Sequence, residues 1–356
     1  MPGEQPNARA GGTGWYRPFA LAMLLGGAGG ALFQYLQLPL AWMLGSMLVT
    51  TIASMAGMRL AVPRPLRDPM VAVLGVLLGS GFDMELLASA RGWWPTIAIL
   101  PAYVITVGGV GFLYLRHVTR LDVRTAYFAA TPGGFGEMIL MGEQAGGDVR
   151  RIALMHSTRV LLIVLMVPFL VRTLFPDVND LPRRSPTGSF EFDLLEGLVL
   201  LACAGIGYKA GQWVKLPGAT IVGPMILSAA AHIAGLAHGA PPFAVVAIAQ
   251  LVIGAGIGAR FSGYSLREVL TTLRAGLGLV LALFAATFCV GALAHTLTDA
   301  SPIALFLALA PGGVAEMSLV ALAMGIEPAY VATHHIVRIA LVVMMAGPLF
   351  KRLERQ

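Results

Sequence analysis

The segment Pro132-Gly-Gly-Phe-Gly-Glu-Met138 recurs as Pro311-Gly-Gly-Val-Ala-Glu-Met317, with five of seven positions identical at an offset of 179. The same offset places Asp148 on Glu327, Ala153 on Ala332, His156 on His335 and Arg159 on Arg338. Upstream, Leu38-Pro39, Gly45 and Met47 fall on Leu216-Pro217, Gly223 and Met225 at an offset of 178, so a single inserted residue aligns the two halves. A duplication this long constrains the fold more than any local pattern, because whatever one copy builds the other must build as well. The copies run from about Phe19 to Arg172 and from Leu194 to Leu353.

Each copy consists mainly of apolar runs. Hydrophobic residues make up 57% of the chain and charged residues only 12%, against roughly 25% charged in soluble domains. A bilayer is therefore the expected solvent and partner. The first copy reads as six segments: Pro18 to Leu36, Leu38 to Gly57, Pro69 to Phe82, Trp93 to Leu115, Thr125 to Gly142 and Arg151 to Val171. Most approach the ~20 residues a helix needs to cross the hydrocarbon. The first resembles a signal peptide after Arg9 and Arg17, but its counterpart Leu194 to Gln212 is internal, so both are expected to be membrane helices. The net charge of +6 comes from Lys and Arg scattered at the ends of apolar runs. That spread favours membrane topology over nucleic acid as its cause. Cys203 and Cys289 lie in different runs without metal or redox spacing, and no metal or cofactor is expected.

The fifth segment differs from the rest. Its central Pro-Gly-Gly disfavours a continuous helix, and in lipid an interrupted segment must be shielded by protein. If it enters and leaves on one side, each copy crosses five times and the copies are inverted. With the N-terminus inside, 18 Lys and Arg residues then face the cytoplasm and 4 the opposite side, with Arg159 and Arg338 within the membrane. Six crossings would move Lys209, Lys215, Arg260, Arg267 and Arg274 outside, against the positive-inside rule. The expected fold is all-α and polytopic, with two tandem inverted repeats of about five transmembrane helices plus one broken or re-entrant segment. The expected divisions are a disordered cytoplasmic N-terminus (1–17), a first membrane repeat (18–172), an external linker (173–193) and a second membrane repeat (194–353), with both termini cytoplasmic.

Four ionisable residues occupy equivalent intramembrane places: Glu137 and Glu316 after the breaks, Arg159 and Arg338 in the next segment. A charge at the bilayer centre costs ~2.5–3.5 kcal/mol on insertion scales, so such residues face partners or a wet cavity. One reading pairs each glutamate with an arginine as a purely structural lock. The other makes all four a solute- or ion-binding site, completed by Pro132, Gly133, Gly134, Pro311, Gly312 and Gly313. Thr131-Pro132 has the form of an N-cap followed by proline at the first helical position, which would aim a half-helix N-terminus at the break. Ala310-Pro311 repeats it without the hydroxyl. His156 and His335, three residues before the arginines, share their helix faces and suit either a proton relay or a bond within the bundle. Met138, Met141, Met317 and Met324 read as packing residues, and the glycine runs at 26–30, 75–81 and 254–258 as helix-packing faces.

The doubled Pro-Gly-Gly-x-x-Glu-Met element, each copy followed by His-x-x-Arg, resembles the AbrB-duplication family of bacterial inner-membrane proteins. The resemblance covers both halves. It implies an inner-membrane protein of two homologous domains, under two family labels: regulator of gene expression and ammonia monooxygenase. The soluble DNA-binding regulators of the same name are small β-rich dimers, a form with no counterpart in this chain. The residues themselves point first to a secondary transporter or exporter of a small polar or anionic solute, ion-coupled, and not to an enzyme. A membrane regulator acting indirectly on gene expression, through a partner protein or through the solute it moves, is the alternative; a homo-oligomer or a cytoplasmic protein is the expected protein partner. An oxidoreductase comes last, because it needs a redox group that these motifs do not supply.

Overall fold

The computed structural model describes residues 13–176 and 194–354. Residues 1–12 of the expected N-terminal tail and most of the 173–193 linker lie outside that range. The described residues are helical throughout, with no strand. The first half gives α1 (Tyr16–Tyr35), α2 (Ala41–Met55), α3 (Arg64–Gly79), a short α4 (Met84–Ser89), α5 (Trp94–His117), α6 (Val123–Ala130), α7 (Phe135–Gln144) and α8 (Val149–Leu174). The second gives α9 (Leu194–Trp213), α10 (Ala219–Ile233), α11 (Phe243–Ala259), α12 (Leu266–Leu297), α13 (Pro302–Leu309), α14 (Val314–Ala323) and α15 (Pro328–Glu354). The fifth segment of each half is split into two short helices, α6 and α7 or α13 and α14. Where the first half starts its fourth segment with α4 and a 3-10 turn, the second runs one 32-residue helix, begun by a capping box between Ser265 and Glu268.

Four helical stretches are long and apolar enough to cross a membrane: Tyr16–Tyr35, Ala90–His117, Val149–Leu174 and Leu266–Leu297. Four shorter helices are also apolar. Their outward faces carry large bare side chains such as Leu24, Leu201, Ile206 and Leu281, each more than half exposed. An apolar surface this continuous is abnormal for a protein in water and ordinary for one in lipid.

The packing does not follow the halves. Helices α1, α2 and α3 pack with α9, α10 and α11 as one bundle, and α5 to α8 pack with α12 to α15 as another. Glycines set the first bundle. A Cβ added to Gly29 or Gly45 would land on the other's backbone, and Gly207 and Gly223 repeat this crossing between α9 and α10. On α3, Gly75 and Gly79 press against the carbonyls of Ile221 and Met225; on α11, Gly254 and Gly258 press against those of Met43 and Met47. Removing the side chain is what lets the backbones touch. Gly45→Ala is therefore expected to lower stability by about 2 kcal/mol or more, since overpacking against backbone has no soft way out. Gly109→Ala, on open helix surface, is expected to be neutral or slightly stabilising. Thermal melts in detergent check both.

Loops gather at two ends. At one end, Ala61 N–H donates to Pro18 O (3.4 Å), Leu60 N–H donates to Ser262 Oγ (3.1 Å), and Arg150 reaches both Gly263 O and Glu268. Arg124 and Glu354 pair there at 2.8 Å. At the other end, Glu196 accepts the N–H groups of His238 and Gly239, and Thr96 meets His334 at 2.8 Å. Glu327 shares that second end with Asp83. Its carboxyl is pushed up, first by burial and then by the Asp83 charge.

Candidate functional site

Both breaks share one set of contacts at matching residues, to which the second break adds a bond to Gly312. In the first half, Arg159 on α8 donates to the Ala130 and Thr131 carbonyls (3.2 and 3.3 Å) at the C-terminal end of α6. In the second, Arg338 on α15 donates to the Leu309 and Ala310 carbonyls (3.4 and 2.5 Å) at the end of α13, and to Gly312 O at 2.7 Å. His156 Nε2 lies 2.8 Å from Phe128 O and His335 Nε2 lies 3.0 Å from Leu307 O. Their Nδ1 atoms face Arg159 and Arg338 at 3.0 and 3.2 Å. A guanidinium can only donate, so each Nδ1 accepts and each Nε2 carries the proton given to the carbonyl. Both ring nitrogens are engaged in holding the arginine.

The arginines are 3% and 1% exposed and pair with no carboxylate among the described residues. What neutralises them is the carbonyl end of a broken helix, which carries about half a negative charge. Across each break the polarity reverses. Helices α7 and α14 start with Gly134 and Gly313 at the N-cap and Glu137 and Glu316 in the first turn. A Cβ on either glycine would fall inside the carboxylate three residues on, so each glutamate folds back over its own helix start, the positive end. Every break thus sets a cation at the arriving helix and an anion at the departing one. The Glu–Arg lock expected as one reading of the sequence is not formed.

The expected helix start at Thr131-Pro132 is also corrected. Thr131 ends α6, its hydroxyl donating to Tyr127 O at 2.7 Å. Gly133 N–H then bonds Thr131 O (2.9 Å), as Gly312 N–H bonds Ala310 O (2.8 Å). Pro132 and Pro311 lie within these tight turns, and the next helix begins at Phe135, four residues after Thr131. Gly133 abuts Val342 of α15, and α14 packs on α8, so each break leans on the helix that carries the other's arginine. Met138 and Met317 are fully buried packing residues.

The Gly-x-x-Glu spacing has a direct test. Gly134→Ala is expected to push the Glu137 carboxylate off the helix start at a stability cost under about 1 kcal/mol, because only a flexible side-chain end must move. Gly136→Ala, with open space around it, leaves the carboxylate in place. A difference in activity between the two variants, at similar melting temperatures, assigns the effect to Glu137.

Tyr103 and Arg260, to which no motif pointed, join the site together with Phe135 of the first Pro-Gly-Gly element. Tyr103 on α5 donates to Leu309 O and lies 3.1 Å from Thr287 Oγ1 on α12, within electrostatic reach of both arginines. Arg260, at the end of α11, sets its guanidinium 4.3 Å from the centre of the Phe135 ring on the first turn of α7, within electrostatic reach of Glu316. In the sequence Tyr103 and Phe135 are ordinary aromatics of apolar runs, and Arg260 reads as one more loop charge.

Long apolar helices packed around two interrupted ones define the class: an all-helical protein built to span a membrane. The chain matches the family described as "Transition state regulatory protein AbrB" over residues 42–354 and belongs to it. It is 27% identical over 328 residues to the Escherichia coli (strain K12) protein named "Putative regulator AbrB", covering 90% of this chain and 91% of that one. It is 24% identical over 348 residues to "Uncharacterized protein YhjN" of Bacillus subtilis (strain 168), covering 92% and 91%.

Proposed function

We propose that this protein is a secondary transporter of a small polar or anionic solute in the bacterial inner membrane, ion-coupled, with inverted halves and both termini cytoplasmic. The observation that carries the reading is the pair of breaks built by the same contacts at a fixed offset, each with an uncompensated first-turn carboxylate at a half-helix N-terminus. Broken-helix transporters hold anionic solute groups at such N-termini and the coupling ion at the unwound carbonyls and helix C-terminal ends beside them. The inverted arrangement is supported by the bond from Asp148 N–H to Thr125 Oγ1 (2.8 Å). It brings the end of the first broken segment back to its beginning, as five crossings per half require. It is supported too by Arg67, Arg124, Arg150 and Arg260 lying at the end of the molecule that holds Pro18, where the positive-inside rule puts the cytoplasm.

Glu137 and Glu316 bind the proton or coupling cation in this reading. Arg159 and Arg338, engaged with carbonyls, hold the breaks in shape and supply positive background. The two bundles are the bodies whose relative movement would open the site to either side. The test has two stages: a thermal-shift screen of metabolites against the purified protein, then flux of each stabilising solute into proteoliposomes. Solutes that bind but are never moved would count against transport.

The printed name of the Escherichia coli relative favours a second reading, regulation without contact to DNA. A cytoplasmic protein that co-purifies stoichiometrically, together with absence of flux for every bound solute, would support it.

A further inference from the structure

Arg260 has no counterpart in the duplication. The 179 offset that aligns Phe261 with Phe82 places Arg260 on Gly81, and Phe135 on Val314. Only one face of an otherwise doubled site therefore carries a cation over an aromatic ring. The guanidinium of Arg260 makes no hydrogen bond or ion pair among the described residues, although it is half-buried. Neighbouring Arg67 differs, since its guanidinium is held by Asp68 at 3.0 Å. Arg260 also belongs to the α1–α3/α9–α11 bundle while Phe135 and Glu316 belong to the other, so it reaches the site across the line between them.

We propose, resting on the transport reading, that Arg260 binds the solute directly and that the solute is an anion with a single carboxylate. A planar fork of free donors matches a carboxylate two bonds at a time. The charge inventory limits the ligand. Glu137 and Glu316 offset Arg159 and Arg338, and the partial charges of the helix ends at the two breaks offset one another, so Arg260 is the one cation in excess there among the described residues, while Arg67 is cancelled by Asp68. A dianion or phosphate would leave excess negative charge there.

The test uses the full-length protein in nanodiscs and thermal shift with sodium acetate, lactate and benzoate, against sodium phosphate, sodium succinate, choline chloride and glycerol at matched ionic strength. A monocarboxylate is expected to raise the melting temperature of the wild type. Arg260→Gln is expected to weaken its apparent affinity by about 10- to 100-fold, the value of a charged hydrogen-bonded contact. Arg260→Lys is expected to fall between, and Arg267→Gln, an exposed arginine on α12, to match the wild type. An Arg260→Gln protein that responds like the wild type overturns the inference, as does a larger response to phosphate or succinate. A wild type stabilised only by choline or glycerol also overturns it, yet leaves transport standing. Binding through Arg260 without flux in proteoliposomes would uphold the inference and defeat the transport reading.

Discussion

Glu137→Gln combined with Glu316→Gln is expected to reduce solute flux at least a hundredfold while the helical fold survives. Both carboxylates sit in the first turn of a half-helix, folded over an N-cap glycine. Their electrostatic contribution to stability there is about 0.3–1 kcal/mol each, which an isosteric amide forfeits without leaving a hole. Loss of the carboxylates as ligands is a different matter. An amide neither takes up a proton nor holds a cation, so the coupling step has no chemistry left. Circular dichroism and melting temperature should change little, and flux measured on the same preparation should vanish. Single variants separate the roles, because Arg260 lies within electrostatic reach of Glu316.

Arg338→Met is expected to do the reverse and attack the fold first. Arg338 bridges three carbonyls and a histidine at 1% exposure. Leu309 O keeps the Tyr103 hydroxyl and Ala310 O keeps Gly312 N–H, so Gly312 O alone is left without a donor, and with the other charged hydrogen bonds lost at about 1.5–3 kcal/mol each the total is on the order of 3 kcal/mol or more. Arg159, with two carbonyls, is expected to cost less. Lysine at either position rescues only in part, because it lacks the fork that spans neighbouring carbonyls. The order of the two melting temperatures distinguishes this account from one in which the arginines contact solute. In that case both variants would lose flux at unchanged stability.

The duplication made much of this legible before any coordinates. A shared offset marks the same glutamates, histidines and arginines whose contacts repeat, because duplicated chemistry leaves duplicated residue types. Thr131 misled because a hydroxyl before a proline has the form of a cap, yet the same hydroxyl can close the preceding turn on Tyr127, and here it does. The Glu–Arg lock misled for a related reason. Sequence displays side-chain charges but not the half-charge on a broken helix end, and that end is what neutralises each arginine. Arg260 was hidden by its position, since a basic residue after an apolar run is the ordinary mark of topology. The crossing of α2 with α11 and of α3 with α10 was hidden too: the glycines announced close packing, but not which helix would fill the space.

All of this depends on the halves entering the membrane from opposite sides. Reporter fusions at Val118, after Phe175, at Lys215 and at the C-terminus of the intact protein measure that directly. Activity confined to the cytoplasm is expected at Val118, Lys215 and the C-terminus, with external activity after Phe175. A cytoplasmic signal after Phe175 would contradict the account, because two parallel halves could not bring opposed broken helices to one site.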